Sequence, residues 1–247
     1  MSSNLRPNPS LIDFRKKHFL PTAALYYSEP LHPVKASGQF VWDEQGKRYL
    51  DAIGGIVCIS AGHNHPKIKQ ALGQALERDQ IQHTSTLYLS EHAVAAAEAL
   101  LAEAPAGLDR VAFNHSGSEA NELAFLAARH ATKEQTIVHL RHSYHGATAA
   151  TLAACGQNTW RFQAQPVTAV AAAAEPNCYR CPFGKKPDSC SLECASDIEK
   201  VIQTTTHGKV AALVVEPVMG VGGIITPPNE YFKKAAGIVH QYGGKYI

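Results

Sequence analysis

AALVVEPV, residues 211–218, opens with five apolar residues, which an acid and a proline then follow. A strand that is apolar on both faces is buried on both faces, as central strands of parallel sheets are. The flanking segments alternate to match. Residues 110–115 (RVAFNH) read as a short strand, followed by SGSEAN and a helix over 122–131. Residues 136–140 (TIVHL) read as a second strand, followed by RHSYHGAT, and 167–172 (VTAVAA) as a third. A helix over 229–242 then leads into KYI at 245–247. Strands alternating with helices predict an α/β fold, a largely parallel sheet with helices on both faces.

The N-terminal part follows another pattern. Residues 34–51 alternate around the turn DEQGK and predict a small hairpin. The glycine-rich segment GGIVCISAGHNHP (54–66) ends at Pro66, which suits the first turn of a helix over 67–79. Ser90 caps a second predicted helix over 91–104.

Composition narrows the function classes. The 247 residues carry 23 basic and 21 acidic side chains with 45% apolar content, and no basic block. Nothing in the charge points to nucleic acid or a membrane surface. The longest apolar runs, such as TAVAAAA (168–174), are too short to span a bilayer. The first 20 residues lack an apolar signal core. The expectation is a cytoplasmic protein, with the mitochondrial matrix kept open by Arg6, Arg15, Lys16 and Lys17.

Ligands of parallel sheets bind beyond the carboxyl ends of the strands. Three polar clusters fall there: HSGSEAN (115–121), HSYHG (142–146) and EPVMGVGG (216–223). In the first, Gly117 allows close backbone approach and Ser118 adds a hydroxyl at a helix start, where free N–H groups and the dipole favour a phosphate. The plainer alternative is a serine-capped helix after a tight turn.

Taken in order, SGSEANE, SYHG and VVEPVMGVGG, with YLDAIGGIVCISAGHNHP upstream, resemble the class III aminotransferases that use pyridoxal phosphate (PLP). These are fold-type I enzymes and include the 4-aminobutyrate, ornithine and alanine–glyoxylate aminotransferases. The resemblance runs from about residue 30 to the last. It implies that residues 1–60 contribute to a small domain and 61–247 form part of the large PLP-binding domain. It also implies that Gly117 and Ser118 hold the cofactor phosphate, Tyr144 stacks on the pyridine ring, His145 lies near the ring nitrogen and Glu216 organises the polar edge. An amino donor, a 2-oxo acid acceptor and a homodimer are the partners it implies.

The family further carries an aspartate beside the pyridine nitrogen and a Schiff-base lysine, both downstream of the point matched by QYGGKYI (241–247). The fold is therefore expected to be incomplete at its C-terminus, and the chain alone inactive as a transaminase. Val221 stands where the 4-aminobutyrate and ornithine branches have an acid. The resemblance thus favours pyruvate or glyoxylate over 2-oxoglutarate as acceptor. Two other readings stay open: a non-catalytic PLP- or phosphate-binding protein, and another fold-type I enzyme such as an aminomutase or racemase.

Six cysteines are present, and Cys178, Cys181, Cys190 and Cys194 form C-x2-C-x8-C-x3-C. Two close thiol pairs make structural zinc an expectation to test, against a loop of reduced thiols. Cys58 and Cys155 have no evident partner. Among the thirteen histidines, His63 and His65 are expected to order a loop, and only His145 has a functional case.

Overall fold

The computed structural model describes residues 8–20, 25–81, 83, 87–161 and 169–247. It divides into two compact units, Met1–Ala99 and Leu100–Ile247. The first begins with helix α1 (Asn8–His18) and an antiparallel sheet of β1 (Pro33–Ser37), β2 (Phe40–Asp43) and β3 (Arg48–Leu50) in that order. The predicted hairpin is thus two successive hairpins. The β2–β3 turn is held by Asp43, whose Oδ1 accepts from the Gln45 and Lys47 amides at 3.0 and 2.8 Å while Oδ2 accepts from the Tyr49 hydroxyl at 2.8 Å. Three donors satisfy a buried carboxylate.

The glycine segment forms one tight turn, α2 (Gly54–Val57). His63 Nε2 then pairs with Asp51 Oδ2 at 2.7 Å, and its backbone exchanges hydrogen bonds with Gly38. Helix α3 (Pro66–Glu77) starts at the proline, as expected. Ser90 Oγ accepts from the Ala93 amide at the head of α4 (Glu91–Glu103). Ile68, Leu72 and Leu76 recur every four residues along α3, yet each is more than half exposed. Among the described residues of this unit, no apolar side chain is buried.

The second unit contains α5 (Gly117–Thr132), β4 (Ile137–Leu140), α6 (Ala149–Ala153), β5 (Val170–Ala173), α7 (Glu193–Thr205), β6 (Ala212–Leu213), α8 (Tyr231–Gln241) and β7 (Lys245–Tyr246). The four strands form a parallel sheet in the order β5-β4-β6-β7. Alternate residues of each strand enter opposite layers. Val138, Leu140 and Leu213 pack with Ile198 and Ile202 of α7 and Ala235 and Val239 of α8. Ile137, Ala212 and Val214 pack with Phe125 and Ala128 of α5 and Ala150 of α6. Both faces are therefore covered, which explains the unbroken apolar run that begins at Ala211.

One sequence expectation changes. Residues 110–115 do not pair as a strand. No described segment supplies the backbone partners that an apolar segment needs to become one, and Phe113 is left exposed. The third predicted strand survives as β5, with its first two residues, 167 and 168, outside the described residues.

Gly156 marks the tightest point of the sheet's carboxyl edge. A Cβ there would overlap the His142 amide nitrogen and approach the Leu140 carbonyl to 2.6 Å. Exposed Gly237, inside α8, has open space around its Cβ position. Gly156→Ala is expected to lower unfolding stability by about 2–3 kcal/mol through overpacking. Gly237→Ala is expected to raise it by roughly 0.5–1 kcal/mol through helix propensity. Urea denaturation of both variants checks the pair, and equal effects would show that the close approach at Gly156 is relaxed in solution.

Candidate active site

Strand β4 is followed in sequence by β5 on one side and later by β6 on the other, so the chain reverses direction across the sheet at β4. Such a switch point opens a crevice at the carboxyl ends of the two strands concerned. The loops leaving those ends are 141–148 and 214–223, which carry the SYHG and EPVMGVGG clusters. Glu216 joins them: its Oε1 accepts from the Tyr144 amide at 2.9 Å and its Oε2 from the Gly220 amide at 3.1 Å. Burial raises the Glu216 carboxyl above the usual range, while these two amides pull the other way.

The third cluster reaches the same place through α5. Ser116, in extended conformation, caps the helix by accepting from the Glu119 amide at 3.2 Å, and Glu119 Oε2 accepts in turn from the His115 amide at 2.8 Å. Capping is therefore the work of Ser116, which frees Ser118 for another contact. Ser118 Oγ accepts from the Ala147 amide at 3.1 Å, Asn121 Nδ2 donates to the His145 carbonyl at 2.8 Å, and Glu122 Oε1 accepts from the Ala150 amide at 3.0 Å. These three side chains lie on one face of the helix by their spacing. Together they clasp the 145–150 segment. Gly146 makes the clasp possible, since a Cβ there would sit 2.6 Å from Ser118 Oγ and 2.9 Å from Ser118 Cα. Around Gly117, at the head of the helix, the space a Cβ would take is open.

Gly117, Ser118, Tyr144, His145 and Glu216, each singled out from the sequence, thus lie on three segments that bond to one another at one end of the sheet. The sequence reading assigned no role to Ser116, Asn121, Gly146 or Trp160. Asn121 lies inside SGSEAN, but only the tertiary contact reveals its use. Trp160 meets Tyr144 edge-on, with ring centroids 5.2 Å apart and planes at 63°.

His145 is buried, and its Nε2 has no hydrogen-bond partner among the described residues. Burial, with His139 nearby, brings its pKa down to about 4. His139, on β4, donates from Nδ1 to the Leu140 carbonyl at 3.1 Å and is likewise held at about 4 by burial. Both imidazoles are neutral at physiological pH.

The zinc expectation finds no support in the structure. Among the described residues, no three His, Cys, Asp or Glu side chains are grouped to hold a metal ion, and the cysteines are free. Cys194 packs in the core in the first turn of α7, where burial lifts its thiol to about 11. The Cys190 thiol donates to Glu193 Oε2 at 3.3 Å. Cys178 is exposed and Cys181 half-buried.

Known proteins resemble this chain over most of its length. The family model described as aminotransferase class III matches residues 24–246. Alanine–glyoxylate aminotransferase 2 homolog 2 of Arabidopsis thaliana is 38% identical over 98% of this chain and 49% of its own length. Leucine/methionine racemase of Thermococcus litoralis is 32% identical over 93% of this chain and 52% of its own. The chain spans about half the length of the curated relatives it matches. Among solved structures, an (S)-enantioselective ω-transaminase from Thermomicrobium roseum superposes with a TM-score of 0.85 at 27% identity, over 98% of this chain and 56% of that one.

Two predictions follow from the site's electrostatics. Glu216→Gln places an amide NH2 against one of two backbone donors, and a cost of about 1–3 kcal/mol in urea denaturation is expected. An unchanged midpoint would show that Glu216 does not hold the two loops together. For His139 and His145, the unfolded chain binds protons between pH 6.5 and about 4 that the folded chain does not. Their stabilising contribution is complete above pH 6.5 and is lost as pH falls toward 4. Imidazole proton NMR is expected to show these two rings still neutral at about pH 5, and their protonation near pH 6.5 would overturn the assignment.

Proposed function

This chain belongs to the class III aminotransferase family, and on that premise we propose that the whole protein moves an amino group from an amino acid or ω-amino acid to a 2-oxo acid with PLP as cofactor. The observation that carries this reading is the meeting of the three clusters at the switch point, through the Glu216–Tyr144 and Ser118–Ala147 hydrogen bonds.

The residues present fit the cofactor. The open head of α5 at Gly117 and Ser118 suits a phosphate. Tyr144 offers a flat aromatic ring on a loop anchored at its own amide. His145 holds a buried Nε2 in need of a polar partner. When bound, PLP supplies the electron sink that amino-group transfer requires. In this reading the chain's own residues do four things. Gly117 and Ser118 anchor the phosphate, Tyr144 orients the ring, His145 orders the polar group beside the ring nitrogen, and Glu216 holds the Tyr144 loop in register.

Pyruvate or glyoxylate is the proposed acceptor. Val221 carries no charge, and the nearby acid Glu216 is committed to two backbone amides. No carboxylate in that turn is left to mask an arginine arriving from elsewhere in the protein, which leaves such an arginine for the substrate's own carboxylate. The Arabidopsis relative's name, alanine–glyoxylate aminotransferase, agrees with this choice. The reading includes a homodimer, for which the exposed Ile68, Leu72 and Leu76 of α3 offer apolar surface.

The Thermococcus relative named a racemase favours a second reading, in which the same scaffold inverts an amino acid. One experiment separates the two. The full-length protein, loaded with PLP, is given L-alanine with glyoxylate or 2-oxoglutarate, and separately L-leucine with no acceptor. Glycine formation from glyoxylate, faster than glutamate formation from 2-oxoglutarate, is expected. Faster turnover with 2-oxoglutarate would overturn the acceptor assignment, and D-leucine formed without an acceptor would transfer support to the racemase reading.

A further inference from the structure

We propose that Trp160 is a positioning residue for Tyr144: its edge-on contact sets the plane of the tyrosine ring and with it the grip on a flat aromatic cofactor. The proposal rests on the reading of Tyr144 as the ring that stacks on that cofactor.

The bond from Glu216 fixes the backbone of Tyr144 but leaves the two side-chain torsions to be set by whatever the ring touches. Trp160 touches it. The T-shaped arrangement, at 5.2 Å and 63°, is one of the geometries aromatic pairs prefer, and it resists rotation of either ring.

A ring can serve as a stop only if its own carrier is held, and this one is held at both ends. At its start, the Gly156 amide donates to the Ser143 carbonyl at 2.8 Å, and the His142 amide donates to the Gly156 carbonyl at 3.2 Å. The carrier is thereby paired to the loop that bears Tyr144. The buried Cys155 thiol adds a bond to the Gly146 carbonyl at 3.4 Å. Beyond the ring, Arg161 folds back on the end of α6. Its Nε donates to the Cys155 carbonyl at 3.0 Å, and its Nη2 donates to the same carbonyl at 2.6 Å and to Ala153 at 3.4 Å. Between these fastenings a single 3-10 turn, Asn158–Trp160, presents the indole. Segments 142–146 and 155–161 therefore form one stitched unit, with the two aromatic rings as its side-chain contact.

The test measures cofactor grip without requiring catalysis. Pyridoxine 5′-phosphate has the ring and phosphate of PLP but no aldehyde, so its binding reports stacking and phosphate contacts alone. The full-length protein, Trp160→Leu and Trp160→Phe are compared by equilibrium dialysis and by the circular dichroism induced in the bound ligand's absorption band. Trp160→Leu is expected to weaken binding by about two- to tenfold, the range of a lost aromatic pair. It should also reduce the induced signal per bound ligand, because a tilting tyrosine no longer holds the ligand in one orientation. Trp160→Phe keeps an aromatic edge and is expected to restore both. Parent-like binding and signal in Trp160→Leu would overturn the proposal. Failure of Trp160→Phe to recover would overturn it too, since the loss would then come from packing and not from an aromatic edge. No binding by the parent protein would instead remove the cofactor reading itself, and this proposal with it.

Discussion

Everything in the C-terminal unit depends on the segment Val210–Val215 finding backbone partners on both of its edges. On one side Ala211 and Val214 donate to Thr136 and Val138 of the β4 edge; on the other, Lys245 and Ile247 donate to Ala211 and Leu213. With strand partners on both edges and apolar residues on both faces, the segment is buried as a central strand. Its carboxyl end then has one place to go. Glu216 is delivered to the mouth of the crevice between β4 and β6, where it can reach the Tyr144 amide.

The site is built by backbone more than by side chains. Glu216 grips two amides, Ser118 one, and Asn121 a carbonyl. Bonds of this kind fix loops in register and leave ring faces and the head of α5 clear for a ligand. At Gly146, Gly156 and Gly222 the loops approach each other too closely for a Cβ. A site assembled in this way is rigid before a ligand arrives, so little ordering entropy remains to be lost on binding.

The two units differ in what holds them. The C-terminal unit has two apolar layers, one on each face of its sheet. The N-terminal unit is held chiefly by turn chemistry, with Asp43 and the Asp51–His63 pair as its local anchors. Its helices carry apolar stripes that remain in contact with water. Such a unit gains little from burial of its own apolar side chains.

The α/β class and the order of most elements were legible because they are written in local periodicity. An unbroken apolar run at 211–215 demands burial on both faces, and Pro66 and Ser90 mark helix starts through their own backbone chemistry. Gly117 and Ser118 were legible at a helix start, and Tyr144, His145 and Glu216 lay in polar clusters after strands, where the family resemblance singled them out. Their mutual contacts were not, because Tyr144 and Glu216 lie 72 residues apart and no local pattern encodes such a pairing. The same holds for Trp160, an unremarked residue in the sequence whose place opposite Tyr144 is set by the stitching of two loops. Where the sequence misled, at 110–115, the missing factor was also tertiary: a strand exists only with a neighbour. Local chemistry determined which segments would be strands, helices and turns; only the packing of the sheet decided which of their side chains would meet.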